Sequence, residues 1–195
     1  MPISAIYDVK GGTLAQYDQI IEALADLIPA PGSLGHIAMA TPDGFLVCDI
    51  WESQEALDSF AQHLIPRTEA AGIGRQSSPL MGRVENMLAA ENANELPAVA
   101  ILYSFPAMTA ARYHEVLSHV KFEGAPPTAR RAHIASETAE GMFIAGIWES
   151  EAAYRAFEPV LHAALAACGV DATTPVIGQI HKIGLMPGGV QSAHA

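Results

Sequence analysis

"GFLVCDIWES" (residues 44–53) and "GMFIAGIWES" (residues 141–150) spell one structural unit twice, 97 residues apart. Each opens on glycine, runs through branched and aromatic residues to a tryptophan, and closes on Glu-Ser. The apolar run is strand material. The serine stands where a helix begins, its hydroxyl oxygen able to accept from the unpaired amides of a first turn. In the first stretch Phe45, Val47 and Trp51 point one way while Leu46, Cys48 and Ile50 point the other. Both faces of the sheet are therefore apolar and both need cover.

The correspondence extends outward. "HIAMATPDGFLVCDIWES", from His36, matches "HIASETAEGMFIAGIWES", from His133, at nine of eighteen positions, where chance gives about one. Duplication is the simplest cause. Tyr7 and Tyr103, Thr13 and Thr109, and Tyr17 and Tyr113 correspond at a spacing of 96; Phe60 and Phe157, and Gly72 and Gly169, at 97; Pro79 and Pro175, and Gly82 and Gly178, at 96 again. The two halves are residues 1–88 and 98–185. Residues 89–97, "AAENANELP", are polar and alanine-rich and read as a linker. Residues 186–195, "MPGGVQSAHA", form a tail expected to be mobile.

Each half reads strand, helix, strand, strand, helix, strand. "SAIYDV" and "VAILYSF" are the first strands. Behind Thr13, Leu14, Tyr17, Ile20, Ile21, Leu24, Leu27 and Ile28 recur at helical spacing. Tyr113, Val116, Leu117 and Val120 do so behind Thr109. Leu57, Phe60 and Leu64 mark the second helix of one half, and Tyr154, Phe157, Leu161, Ala164 and Leu165 that of the other. Pro66 and Pro159 are expected to break these helices, since each lacks the amide proton the ladder needs. A βαββαβ unit of about 90 residues is a ferredoxin-like sandwich, so the predicted class is α+β.

Composition narrows the partners. Half of the 195 residues are apolar, and 10 basic against 21 acidic residues leave a formal charge of −11. That charge repels nucleic acid and anionic membrane surfaces. No run of eighteen apolar residues and no basic leader before an apolar run occurs, and the expected location is cytoplasmic. Cys48 and Cys168 match neither zinc spacing nor a disulfide framework and read as buried thiols. No G-x-G-x-x-G opens a helix and no Walker pattern is present. His114 and His119, five apart, do not share a helix face as a metal pair would, so no metal and no cofactor are expected.

The order of a tyrosine on strand one, "H-I-A", "D/E-G", then "I-W-E-S" with a downstream phenylalanine and glycine resembles the dimeric α+β barrel superfamily. More narrowly it is similar to small bacterial proteins related to antibiotic-biosynthesis monooxygenases. The resemblance implies that the two halves pack sheet to sheet as an intramolecular barrel. The usual two-fold partner would then be covalently attached at high effective concentration, and a further homodimer stays open. It also implies a pocket in each half, between sheet and helices. The chemistry it implies is diverse: cofactor-free oxygenation of aromatic polyketides, haem degradation, isomerisation, cyclisation, or no activity. Haem-degrading relatives pair a strand tryptophan, here Trp51 or Trp148, with a helix histidine, here His63 or His162. They also use an asparagine on strand one, where this chain has Asp8 and Ser104. Several relatives carry a His-Asn pair near the last strand; here the halves read Glu85-Asn86 and His181-Lys182.

The candidate catalytic residues are His133 and His36, because an imidazole can take and return a proton near neutral pH. Trp51, Trp148, Tyr7 and Tyr103 are candidate pocket walls for a flat apolar substrate, joined by Asn86 and His181 as substrate-binding candidates. The alternative for each is a core aromatic or a backbone-bonded histidine. His114, His119, His162 and His181 stand where the first half has Asp18, Ala23, Ile65 and Glu85. They mark the second half as the working site, although as helix positions most read as solvated. The expected function is a cofactor-independent monooxygenase-like enzyme acting on a small aromatic or polyketide-type molecule. An isomerase or cyclase, or a non-catalytic ligand-binding or structural protein, are the alternatives. An aromatic cavity of about 300 Å³ or more reaching His133 favours the enzyme.

Overall fold

The computed structural model describes residues 1–73, 78–121 and 128–191. Its elements follow the predicted order twice. The first half holds β1 (Ile3–Lys10), α1 (Leu14–Ala23), β2 (Ser33–Thr41), β3 (Gly44–Trp51), α2 (Gln54–Ala70) and β4 (Leu80–Ala89). The second holds β5 (Val99–Pro106), α3 (Ala110–His119), β6 (Arg130–Thr138), β7 (Gly141–Trp148), α4 (Glu151–Ala167) and β8 (Val176–Leu185). A short β9 (Gly188–Gln191) follows. No described helix is long and apolar enough to cross a membrane.

Local chemistry sets the boundaries. Thr13 accepts from the Gln16 amide while the Gln16 side chain accepts from the Thr13 amide, a reciprocal cap on α1. Thr109, Ser53 and Ser150 each accept from the third amide beyond them and start α3, α2 and α4. The repeated glycines opening β3 and β7 are sterically required. A Cβ on Gly44 would sit 2.0 Å from the Val9 carbonyl oxygen, and one on Gly141 2.2 Å from that of Phe105.

Two expectations need correction. Pro66 and Pro159 do not break their helices: α2 and α4 run through them. Both prolines face solvent, and apolar residues on either side of each are held in the core, Phe60 and Ala71 in one case and Tyr154 and Ala164 in the other. The packing on both flanks outweighs one lost hydrogen bond. Nor is the tail free throughout, since Gly188–Gln191 pairs antiparallel with Asn86–Ala89, while its last four residues lie outside the described ones.

The compact units are not the two sequence halves. One comprises residues 1–81 with 180–186, the other 82–179 with 187–195. In the first, β1, β3 and β2 form an antiparallel sheet completed by Ile180–Leu185 of β8 against β2. In the second, β5, β7 and β6 are completed by Gly82–Ala89 of β4 against β6, and Val176–Gln179 pairs with β5. The first half thus lends Gly82–Ala89 to the second unit's sheet, and the second half lends Ile180–Leu185 to the first's, while Val176–Gln179 stays with its own half. The helices pack on one face: Tyr17, Ile20 and Leu24 meet Ala38, Phe45 and Val47 in the first unit. Tyr113, Val116, Tyr154 and Leu165 meet Val99, Ile101 and Tyr103 in the second. Cys48 and Cys168 are free and buried.

Candidate functional site

The strand register sets a histidine on β2 beside Asp49 on β3, and a histidine on β6 beside Gly146 on β7. In the first unit, His36 Nδ1 lies 2.6 Å from Asp49 Oδ1, and His36 Nε2 lies 2.6 Å from the Tyr17 hydroxyl supplied by α1. A carboxylate can only accept, so Nδ1 carries the proton and Nε2 accepts from Tyr17. The Tyr17 ring stacks on the imidazole at 19°. Burial, and then the Asp49 charge, push its phenol well above the ordinary range.

The second unit repeats this geometry with one group missing. The Tyr113 hydroxyl, from α3, lies 2.7 Å from His133 Nε2, and the rings stack at 8°. Asn86 Nδ2 donates to the Tyr113 oxygen at 3.1 Å. The phenolic proton therefore points to Nε2, and His133 again carries its proton on Nδ1. No described residue accepts that proton, because glycine stands where the first unit has Asp49. Burial, and then the Arg130 charge, lower the His133 pKa to about 3. The expected base near neutrality is thus disfavoured by its surroundings, since an imidazolium here would lose its hydration beside a cation. What His133 offers in the resting site is a hydrogen-bond donor.

A cavity of about 280 Å³ lies in the second unit, bounded by α3, α4 and the sheet. Tyr103, Phe105, Tyr113, Trp148, Tyr154 and Phe157 give it aromatic walls, and Asn86, Arg130 and His133 are among its polar lining. The Tyr103 and Tyr154 hydroxyls bond each other, and Tyr154 donates to Glu158 at 2.7 Å. Burial raises both phenols, so they act as neutral walls.

Of the residues singled out in the sequence, His133, Asn86, Tyr103 and Trp148 meet in this cavity. His36 belongs to the Tyr17–Asp49 relay. Trp51 and Tyr7 pack with Ala5, Ala30 and Leu57 in the first unit, and burial pushes the Tyr7 phenol up to about 12. His181 is in the first unit, apart from Asn86, with Nε2 2.6 Å from Asp18 Oδ1. His114 Nε2 lies 3.6 Å from buried Glu85, which also pairs with Arg83 at 2.7 Å. These two histidines therefore face carboxylates rather than solvent alone. His63, His119 and His162 are exposed, and His162 does not line the cavity as the haem pattern would need.

Sequence reasoning passed over Tyr17, Tyr113, Arg130 and Gly146. The tyrosines looked like members of an apolar helical stripe, although their common spacing was visible. Arg130 and Gly146 carried a different signal: they are departures, from Ser33 and Asp49, inside or beside the best-matched stretch.

No family model and no curated protein matches the chain. Solved structures do. A candidate monooxygenase from Fusobacterium nucleatum superposes with a TM-score of 0.73 over 98% of both chains at 11% identity. Another from Lactobacillus acidophilus gives 0.68 over 95% of this chain and 97% of that one, at 10% identity. An anthrone oxidase-like protein gives 0.55 over 99% and 93%, at 16% identity. At such identities the likeness is one of fold. It supports a ferredoxin-like fold of mixed helices and antiparallel strands.

Proposed function

We propose that this protein is a monooxygenase-like enzyme that works without a cofactor on a flat aromatic or polyketide-type molecule in the cavity of the second unit. The observation that carries the reading is the aromatic cavity closed by His133, Tyr113 and Asn86. Its volume of about 280 Å³ falls just below the 300 Å³ expected of the enzyme, and at the small end of ligand sites. The names of the similar structures agree with this reading, at the level of fold.

In the proposed reaction a phenol or activated ring carbon gives its proton to solvent and the resulting anion gives one electron to dioxygen. Recombination of the radical pair forms a carbon–oxygen bond, the peroxide anion takes a proton back from solvent, and the hydroperoxide loses water, together with the hydrogen left on the same carbon, to leave a carbonyl. One oxygen atom stays in the product and one leaves as water, with the substrate supplying all the electrons. The chain's own part is to hold the ring between aromatic walls, exclude water and stabilise negative charge. We further propose that the two halves are the fused partners of a dimeric α+β barrel.

Screening phenolic substrates for oxygen uptake without added metal tests the activity. His133→Ala is expected to abolish turnover while leaving the circular dichroism spectrum and oligomeric state unchanged. Undiminished uptake in that variant would remove the histidine from the mechanism. Product formation without oxygen uptake would favour an isomerase or cyclase.

A further inference from the structure

The two units differ at the point where their polar networks end. In the first, the chain of donors runs from Tyr17 through His36 and terminates on the Asp49 carboxylate. In the second, it runs from Asn86 through Tyr113 to His133 and ends there among the described residues, because residue 146 has no side chain. A Cβ at that position would lie 2.9 Å from Trp148 Nε1, so the indole N–H occupies the ground next to the missing group.

A second departure adds charge. Arg130 stands where the first half has Ser33, opposite Trp148 in the register as Ser33 is opposite Trp51. Its guanidinium lies 6.0 Å from the Phe157 ring centroid and lines the cavity, and it forms no hydrogen bond or ion pair with any described residue. Desolvation lowers its pKa from the ordinary value. None of the described residues lining the cavity is a carboxylate that could balance it. A cation and unpaired donors around an apolar chamber are costly unless a ligand completes them.

We propose that the ligand of the second unit is a planar aromatic carrying an ionised oxygen, and that this oxygen takes the place that Asp49 fills in the first unit. It accepts from His133 Nδ1–H and pairs with Arg130, with the ring system between Trp148, Phe157 and Tyr103. Gly146 makes the room and Arg130 selects the charge. Leu88, Arg130 and His133 also border a more open depression, so the charged end lies toward the mouth and the rings lie deeper. This assignment rests on the reading of the cavity as a substrate site, and it names the class of substrate: a phenol or enol acidic enough to be held as its anion.

The test uses the full-length protein, without oxygen, and 4-nitro-1-naphthol as probe, because its anion has its own visible absorption band. The bound probe is expected to ionise at least about one pH unit below the free probe. Arg130→Ser should cancel most of that shift and weaken binding of the anion about tenfold or more. Gly146→Asp should abolish binding by supplying the chain's own carboxylate. Should that variant misfold, Arg130→Ser decides alone, with its melting curve as control. A probe that fails to bind at millimolar concentration would overturn the proposal. So would one that binds with an unchanged pKa or prefers its protonated form, as would an Arg130→Ser variant indistinguishable from wild type. Ionisation on binding with no oxygen uptake from any phenol would refute the oxygenase reading and leave this assignment standing.

Discussion

His133 shows how far one residue's chemistry depends on what surrounds it. As a letter in the sequence it is an imidazole titrating near 6.5; buried beside Arg130, it titrates near 3. The consequence for stability has a definite sign. Between these two values only the unfolded chain takes up the proton, so lowering the pH from about 6.5 toward 3 favours unfolding. The slope from this group approaches about 1.4 kcal/mol per pH unit. Above pH 6.5 its contribution is complete. Denaturant melts at several pH values, comparing wild type with His133→Asn, should show the variant's stability falling less steeply over that window. Parallel curves would mean that the imidazole is hydrated. That His36 and His133 matter was legible from their shared "HIA". Their different environments were not, because Asp49 and Gly146 meet them only across strands.

At the level of elements, the helix starts were written plainly in Thr13, Ser53, Thr109 and Ser150, since a cap is a local matter. The helix interiors were not, because packing decides whether a proline is tolerated. Pro66 and Pro159 each forfeit a backbone hydrogen bond on a solvent-facing turn. Pro159→Ala should therefore stabilise the protein by about 1–2 kcal/mol, the regained helix propensity being partly offset by a freer unfolded chain. The readout is the urea midpoint at unchanged slope. A lower midpoint would show that the ring itself makes a packing contact of value.

Across the whole molecule, the lending of last-strand segments between halves explains a pattern that looked arbitrary in one dimension. Asp18 corresponds to His114, and Glu85 to His181. With Gly82–Ala89 in the second unit and Ile180–Leu185 in the first, each unit receives one acid and one histidine, Asp18 with His181 and Glu85 with His114. It follows that residues 1–92 and 93–195, expressed as separate chains, should co-purify in a one-to-one complex and be poorly folded alone. Two stable, independent monomers would contradict that. The sequence by itself determined the βαββαβ order, the caps, the apolar faces and the existence of two corresponding halves, because these follow from the spacing and chemistry of near neighbours. Only the tertiary structure decided which half's strand completes which sheet, which histidine meets a carboxylate, and where a cavity opens. Those outcomes depend on groups brought together from distant parts of the chain, where removing one side chain, as at Gly146, changes what its neighbours can do.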